Sequence, residues 1–387
     1  MLIDALLKSY ADDPRLPGSP IRGSRLGECG RRLAYELWPH LFPPEPLPPR
    51  RLMVFEMGHL VERQLAQRLR RVFPGQWGFE QERFYFQVPL SVTEADAAAK
   101  KMARKELIGA VVPGFRPAEA TTSRLTLVLD PAPPALWIAV HPDGVVDAEG
   151  YGLTATEIKS YSSPGFRRVL QGRIDYSYRV QLAVEADATA LDNAMFLTYR
   201  KETSHLLELF YSRKADHVAV TLTKTNGVRE VYRAGDPALK RLFDDVEGIE
   251  VRHPFEPGIL EQARARVRRV LLATPNVLPP REYGPEFRCA KCRGEGFYLT
   301  PKRQDRKECK KCAGTGWLEE TPLPFPCSYC PVKAHCWPID RAEIAESPKW
   351  YVKRAALMAE HVILPPEAPE PEEEADADDE KPPTQPA

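Results

Sequence analysis

Two periodicities divide this chain. Apolar residues spaced three or four apart mark helices, and strict alternation marks half-buried strands. In SRLGECGRRLAYELWPH, residues 24–40, Leu26, Leu33 and Leu37 recur at helical spacing with Arg31 and Arg32 between them. FPPEPLPPR (42–50) reads as a stiff, extended connector. RLMVFEMGHLVERQLAQRLRRVF (51–73) predicts a long amphipathic helix with Val54, Met57, Val61 and Leu65 on its apolar side. Residues 79–90 alternate as a strand, and 92–108 predict a short Ala/Lys helix. Strands follow at 124–130 and 135–147, broken by DPAPP, and at 152–160. SPGFRRVLQG starts a helix with Pro164 in its first turn. Residues 175–190 predict another helix, 193–200 and 205–212 a hairpin, and 236–272 one or two Arg-rich helices. This interleaving predicts an α/β or α+β core.

Composition narrows the class. The chain has 387 residues, eight of them cysteine, and no apolar run of membrane-spanning length. Its start, MLIDALLKSYADDPR, lacks a signal-peptide pattern, so a cytoplasmic protein is expected. Cysteines then read as metal ligands or thiols rather than disulfides. The balance of 54 basic and 54 acidic residues conceals an asymmetry. From Pro365 onward there are nine acids and one lysine, which leaves 53 basic against 45 acidic residues, or +8, for 1–364. The Pro/Glu-rich tail, 365–387, is expected to be disordered.

The densest chemistry is His141-Pro142-Asp143-Gly144 followed by Glu157-Ile158-Lys159. Alternate strand residues share a face, so Glu157 and Lys159 point the same way. A hairpin centred on Gly150 would set Asp143 opposite Glu157. Adjacent carboxylates repel unless a cation lies between them, and magnesium suits such a pair. By residue type alone, Asp-Gly is also a common turn and Glu-x-Lys a common solvated strand face.

Pro142-Asp143 and Glu157-Ile158-Lys159 together resemble the PD-(D/E)XK nuclease superfamily, in its RecB-like branch. Gly58-His59-Leu60-Val61-Glu62 resembles the first motif of that branch, and Tyr178-Arg179-Val180-Gln181 its last. A tyrosine common four residues after that glutamine is replaced by Glu185. The resemblance implies an α/β, restriction-endonuclease-like core with a central mixed sheet flanked by helices. It implies a Mg- or Mn-dependent deoxyribonuclease, an exonuclease on single-stranded DNA ends. Asp143, Glu157, the Ile158 carbonyl and either His59 or Glu62 would hold the metal. Lys159 would handle the attacking water, and Gln181 would position the lysine or the DNA. Recombination, repair, phage replication or CRISPR adaptation would be the setting, in a bacterial or phage-infected cell.

The cysteines fall into two groups. Cys289, Cys292, Cys309 and Cys312 form CxxC-x16-CxxC, a zinc-ribbon signal, with Gly-x-Gly after each pair. Cys327, Cys330 and Cys336, with the distant Cys29, resemble the iron–sulfur staple of AddB-type and CRISPR-associated RecB-like nucleases. That resemblance implies a [4Fe–4S] cluster. A second zinc, with Cys29 or His335 as fourth ligand, remains open because spacing alone does not separate the metals.

The expected organisation is an N-terminal helical segment (1–45), a nuclease core (46–280), a zinc-ribbon insert (285–320), an iron–sulfur closing segment (321–345) and the acidic tail. Arg31, Arg32, Arg167, Arg168, Arg179, Lys201 and the Arg264–Arg269 run are candidate phosphate contacts. Phe166, Tyr176 and Tyr178 are candidate stacking rings. Two rival functions are a non-catalytic DNA-end-binding subunit of a helicase–nuclease complex and a chaperone-like zinc protein. No P-loop GxxxxGK[ST] is present for a helicase of its own.

Overall fold

The computed structural model describes residues 21–45, 49–104, 110–111, 134–148, 150–161, 163–200, 206–240, 246–283, 287–293, 295–299, 306–328, 330–337, 351–353 and 355–356. The strand expected at 124–130, Lys201 and the acidic tail lie outside these residues.

The chain divides into two units, Met1–Gly284 with Phe325–Cys336, and Pro285–Pro324 with Trp337–Ala387. In the first, the elements in order are α1 (Gly30–Tyr35), α2 (Pro49–Val72), β1 (Trp77–Gly78), β2 (Phe84–Pro89), α3 (Val92–Ala103), β3 (Ala110–Val111), β4 (Ala135–Val140), β5 (Gly144–Ala148) and β6 (Gly152–Tyr161). They continue with α4 (Ser163–Leu170), α5 (Tyr176–Ala188), β7 (Asn193–Arg200), β8 (Leu206–Ser212), β9 (Ala219–Lys224), β10 (Arg229–Arg233), β11 (Val246–Pro254) and α6 (Ile259–Leu272).

An eight-stranded mixed sheet, in the order β1-β5-β6-β7-β8-β11-β9-β10, is flanked by helices, and β2-β4-β3 form a smaller sheet. Strand β6 holds the middle of the functional region. It pairs antiparallel with β5 and parallel with β7, which is reached through α4 and α5. Thr154, Ala155, Thr156, Glu157 and Ile158 are all buried, so alternation is lost where both faces are covered. The β5–β6 register, with Gly144 opposite Thr156 and Ala148 opposite Gly152, is that of a hairpin centred on residue 150.

Helix α5 is buried through Val180–Ala186, including the polar Gln181 and Glu185. The apolar core joins it to Phe86, Leu136, Ile138, Phe196, Leu209 and Val267. Segments far apart in sequence close the unit. The Glu282 carboxylate accepts the Gly30 amide at 2.9 Å and pairs with Arg266, while the Tyr35 hydroxyl donates to the His335 carbonyl at 2.7 Å.

Two expectations fail. Residues 246–254 form strand β11, not part of an Arg-rich helix, because Ile249, Val251 and His253 turn inward between β8 and β9. The proposed apolar side of α2 is also misplaced. Val54 and Met57 are more than half exposed, and Ala66 and Leu69 instead pack on the Trp77 cluster. Hairpin β9–β10 was not anticipated, although Asn226-Gly227 at its turn is a hairpin signal.

In the second unit β12 (Phe297–Leu299) pairs with β13 (Arg306–Glu308), and β14 (Glu320–Pro322) pairs with β15 (Tyr351–Lys353). Two short helices, α7 (Phe325–Ser328) and α8 (Lys333–Cys336), belong to the first unit. The division near residue 285 coincides with the expected start of the insert, but Phe325–Cys336 returns to the main body. Among the described residues no helix is long and apolar enough to cross a membrane.

Candidate active site and metal centres

Asp143 lies one residue before β5, at the mouth of the hairpin that carries Glu157 and Lys159 on β6. Its Oδ2 accepts the Ile158 amide at 2.7 Å, and its Oδ1 accepts from Gln81 Nε2 at 2.7 Å. Gln81 has a left-handed backbone (φ 53°) and gives its own carbonyl to His141 Nδ1 at 3.3 Å. Such strained non-glycine residues concentrate at functional sites. Gly144 is required by space. A Cβ there would meet the Trp77 ring at 2.4 Å, and that ring is fixed by its Nε1 donating to Glu80 at 2.7 Å.

Lys159 Nζ donates to Glu157 Oε1 at 2.5 Å and lies 5.9 Å from the centre of the Phe196 ring. Burial works against its ammonium, but the charge and hydrogen bond of Glu157 outweigh burial and hold the pKa above the usual lysine value. The opposite pressure acts on the acids. Burial first, then the Glu157 charge, with Glu62 contributing, pushes Asp143 up to about 8.

Glu62 on α2 thus stands beside Asp143, whereas His59 has a side chain 70% exposed and lies 3.3 Å from Glu62. Of the two alternatives left open by helical spacing, the carboxylate is the one next to the cluster. Gln181 is fully inside. Its amide donates to Glu185 Oε1 at 2.9 Å, one turn further along α5. Glu185 Oε2 is buried and has no hydrogen-bond partner among the described residues. Burial, then the charges of Glu157 and Asp143, raise the Glu185 pKa well above the carboxylate range.

The structure therefore brings Glu62, Asp143, Glu157, Lys159, Gln181 and Glu185 into one region. Gln81 and Glu185 carry no motif and were not singled out as site residues. Their signal was available only as departures, a bare loop glutamine and an acid where a tyrosine was expected.

The Cys289, Cys292, Cys309 and Cys312 sulfurs are buried and lie within 4.8 Å of one another, close enough to hold a metal. Cys289–Cys309 and Cys292–Cys312 are each 3.7 Å apart. The two knuckles pack backbone to backbone. Gly296 has φ +79°, and a Cβ there would meet the Gly314 carbonyl at 2.0 Å. Among the described residues this quartet is the one group of three or more acidic, His or Cys ligands at such spacing, so no three carboxylates of the active-site cluster meet it.

Cys29, Cys327, Cys330 and Cys336 are partly buried. Cys29 precedes α1, and the other three lie around α7 and α8. Burial pushes the Cys330 thiol up to about 11 and raises Cys336; Cys330 feels both Cys336 and Cys29, and Cys336 feels Cys29. His335, one alternative ligand, turns its Nε2 to the Pro43 carbonyl at 3.0 Å.

Most of the anticipated phosphate contacts have structural partners instead. Arg32 is held by Glu28 and Glu36, Arg168 by Asp175, and Arg179 by Glu256. Arg264 pairs with Asp187, Arg266 with Glu282 and Arg268 with Glu94 and Glu261. Arg31 reaches the Pro279 carbonyl and the Tyr35 ring. Phe166 is a core residue, and Tyr178 packs edge-on against Tyr161 and Phe196.

No family model matches this chain, and no curated protein matches it. The solved structure "Crystal structure of SSO0001" is similar over 56% of this chain and 80% of its own, at 11% identity and a TM-score of 0.32. A score that low carries no argument. The fold and site define a mixed α/β protein with a buried carboxylate–lysine cluster and four buried cysteines close enough together to hold a metal.

Proposed function

We propose that this chain is a divalent-metal-dependent nuclease that hydrolyses phosphodiester bonds in DNA, with single-stranded ends as substrate. The observation that carries the reading is the gathering of Glu62, Asp143, Glu157 and Glu185 within reach of one another's charge, with Lys159 paired to Glu157. Burial first, and then repulsion from the Glu157 and Glu62 charges, holds Asp143 up at about 8. A hard cation relieves that repulsion, and the unpartnered Glu185 oxygen adds a further oxygen donor facing the same charges.

Magnesium or manganese would be held by Asp143, Glu157, Glu62 and the Ile158 carbonyl. When bound, it would supply charge stabilisation and an acidified water. The remaining work belongs to the chain. Lys159, anchored by Glu157, presents a positive charge where negative charge develops on a phosphoryl group. Gln181 and Glu185 form the wall behind it.

The four-cysteine site is read as structural zinc. Tetrahedral thiolates about 2.3 Å from one ion lie about 3.8 Å apart, and the sulfur spacing of 3.7 Å supports a single ion. Cys29, Cys327, Cys330 and Cys336 are read as ligands of a [4Fe–4S] cluster. Four cysteine thiolates are the usual ligand set of such a cluster, and Cys330 and Cys336 each feel the Cys29 charge.

The test is degradation of labelled single-stranded DNA with and without magnesium or manganese. Asp143→Ala, Glu157→Ala and Lys159→Ala should each abolish cleavage and keep DNA binding. Full activity in Glu157→Ala would overturn the site. Metal-independent binding without cleavage in the wild type would favour a DNA-end-binding module instead.

A further inference from the structure

We propose that a groove bounded by α4, its following turn and the turns flanking β9 and β10 carries the phosphodiester backbone of one DNA strand. Two cavities form it. One, of about 600 Å³, is lined by Arg167, Gln171, Arg173 and Asp236 over a floor of Leu170 and Leu239. The other, of about 580 Å³, is lined by Gln171, His217 and Arg233. Gln171 belongs to both, so they run together. Between them Gly172 (φ +71°) presses against the β10 turn, where a Cβ would meet the Ala234 side chain at 3.0 Å.

The charges of the groove are uncommitted. Among the described residues no carboxylate lies within 4.0 Å of Arg167, Arg173 or Arg233, although Arg213, Arg229, Arg252, Arg264 and Arg268 are all paired. The two acids nearby serve their own turns. Asp236 accepts the Ala238 amide at 2.8 Å, and Asp216 pairs with the adjacent His217 at 2.5 Å. Guanidinium groups left free of acids and set apart along a groove match a polymer with one negative charge per repeat.

A chain of contacts links the groove wall to helix α5 of the cluster. The Arg173 amide donates to the Arg168 carbonyl at 2.8 Å, and Arg168 pairs with Asp175 at 3.6 Å. Asp175 stands at the N-cap position of α5, without a capping side-chain hydrogen bond, and the turns that follow carry Tyr178, Gln181 and Glu185. Tyr178 in turn feels the charges of both Lys159 and Asp175. The identity of the polyanion as DNA rests on the nuclease reading; the anion-binding character of the groove does not.

The experiment measures binding of a fluorescent oligothymidylate to the full-length protein in EDTA, across a salt series. The variant Arg167→Glu/Arg173→Glu/Arg233→Glu should weaken binding at least about tenfold at low salt. It should also flatten the salt dependence by about two units of slope, at about 0.7 per lost contact on a single strand. Single Arg→Gln variants, checked by circular dichroism, should each give part of the loss and so guard against misfolding of the triple variant. Unchanged affinity and slope would overturn the proposal. So would an equal loss from Arg269→Glu on α6, which would mean general electrostatics, or a loss of heparin binding with oligothymidylate unaffected. A protein that binds through these arginines but never cleaves would defeat the nuclease reading and leave this one standing.

Discussion

Asp143 Oδ2 accepts the backbone amide of Ile158 at 2.7 Å, so the start of β5 is tied directly to the strand that bears Glu157 and Lys159. The bond fixes which face of β6 the aspartate addresses. Glu157 and Lys159 flank Ile158 and point to that face, while the Ile158 side chain turns into the opposite layer and is buried.

Stability should depend on pH through this cluster. The Asp143 carboxyl titrates at about 8 in the folded protein against an ordinary 3.8, and Glu185 also titrates well above 4.5. The unfolded chain ionises these groups first. Their contribution to stability is full below about pH 4, falls as pH rises, and is lost above about pH 8. Without divalent metal, Tm should drop by roughly 5 °C across that window. Asp143→Asn should flatten the profile, and magnesium should restore Tm most at the alkaline end. Calorimetry at several pH values checks it, and a flat wild-type profile would contradict the buried like-charge cluster.

Glu185→Gln keeps the shape and the Gln181 contact but removes a charge. It should leave the fold intact and lower apparent metal affinity roughly 10–100-fold, the range expected of a supporting group behind metal ligands. A titration of cleavage rate against manganese reads this directly. Activity unchanged at limiting manganese would assign Glu185 a packing role alone.

Gly144→Ala should be costly for a reason unrelated to charge. Its Cβ would strike the Trp77 ring at 2.4 Å, and that ring is held by Glu80. Overpacking of this kind costs about 1–3 kcal/mol. Asp143 is the adjacent residue, so cleavage should fall more than stability does. Denaturant unfolding beside a rate assay separates the two effects.

The two cysteine groups should respond independently. Deleting residues 285–318 should remove one zinc, keep the iron and retain metal-dependent cleavage, since the four thiolates close their site locally. Cys330→Ala should instead bleach the broad absorption near roughly 400 nm of anaerobically purified protein and destabilise the main body. Iron lost together with zinc in the deletion protein would refute the division of the cysteines.

What could be read from the sequence was whatever depends on neighbours a few residues apart. The β5–β6 hairpin, the shared face of Glu157 and Lys159, and the CxxC pairs of the cysteine-rich module all follow from strand geometry and short spacings. Strand β11 did not, because VEGIEVRHP becomes a strand only through partners on β8 and β9, distant in the chain. The choice of Glu62 over His59 depended on how α2 lies against β5 and β6, which a helical period cannot give. Gln81 and Glu185 entered the site for the same reason. Each reaches the carboxylates across the fold, and burial rather than any motif made their polar atoms significant. Among the arginines the sequence pointed to Arg31, Arg32, Arg167, Arg168, Arg179 and the Arg264–Arg269 run as phosphate contacts, but not to Arg173 or Arg233. Tertiary pairing occupies Arg179, Arg264 and Arg266 with acids elsewhere in the chain, and among the described residues it leaves Arg167, Arg173 and Arg233 without carboxylate partners.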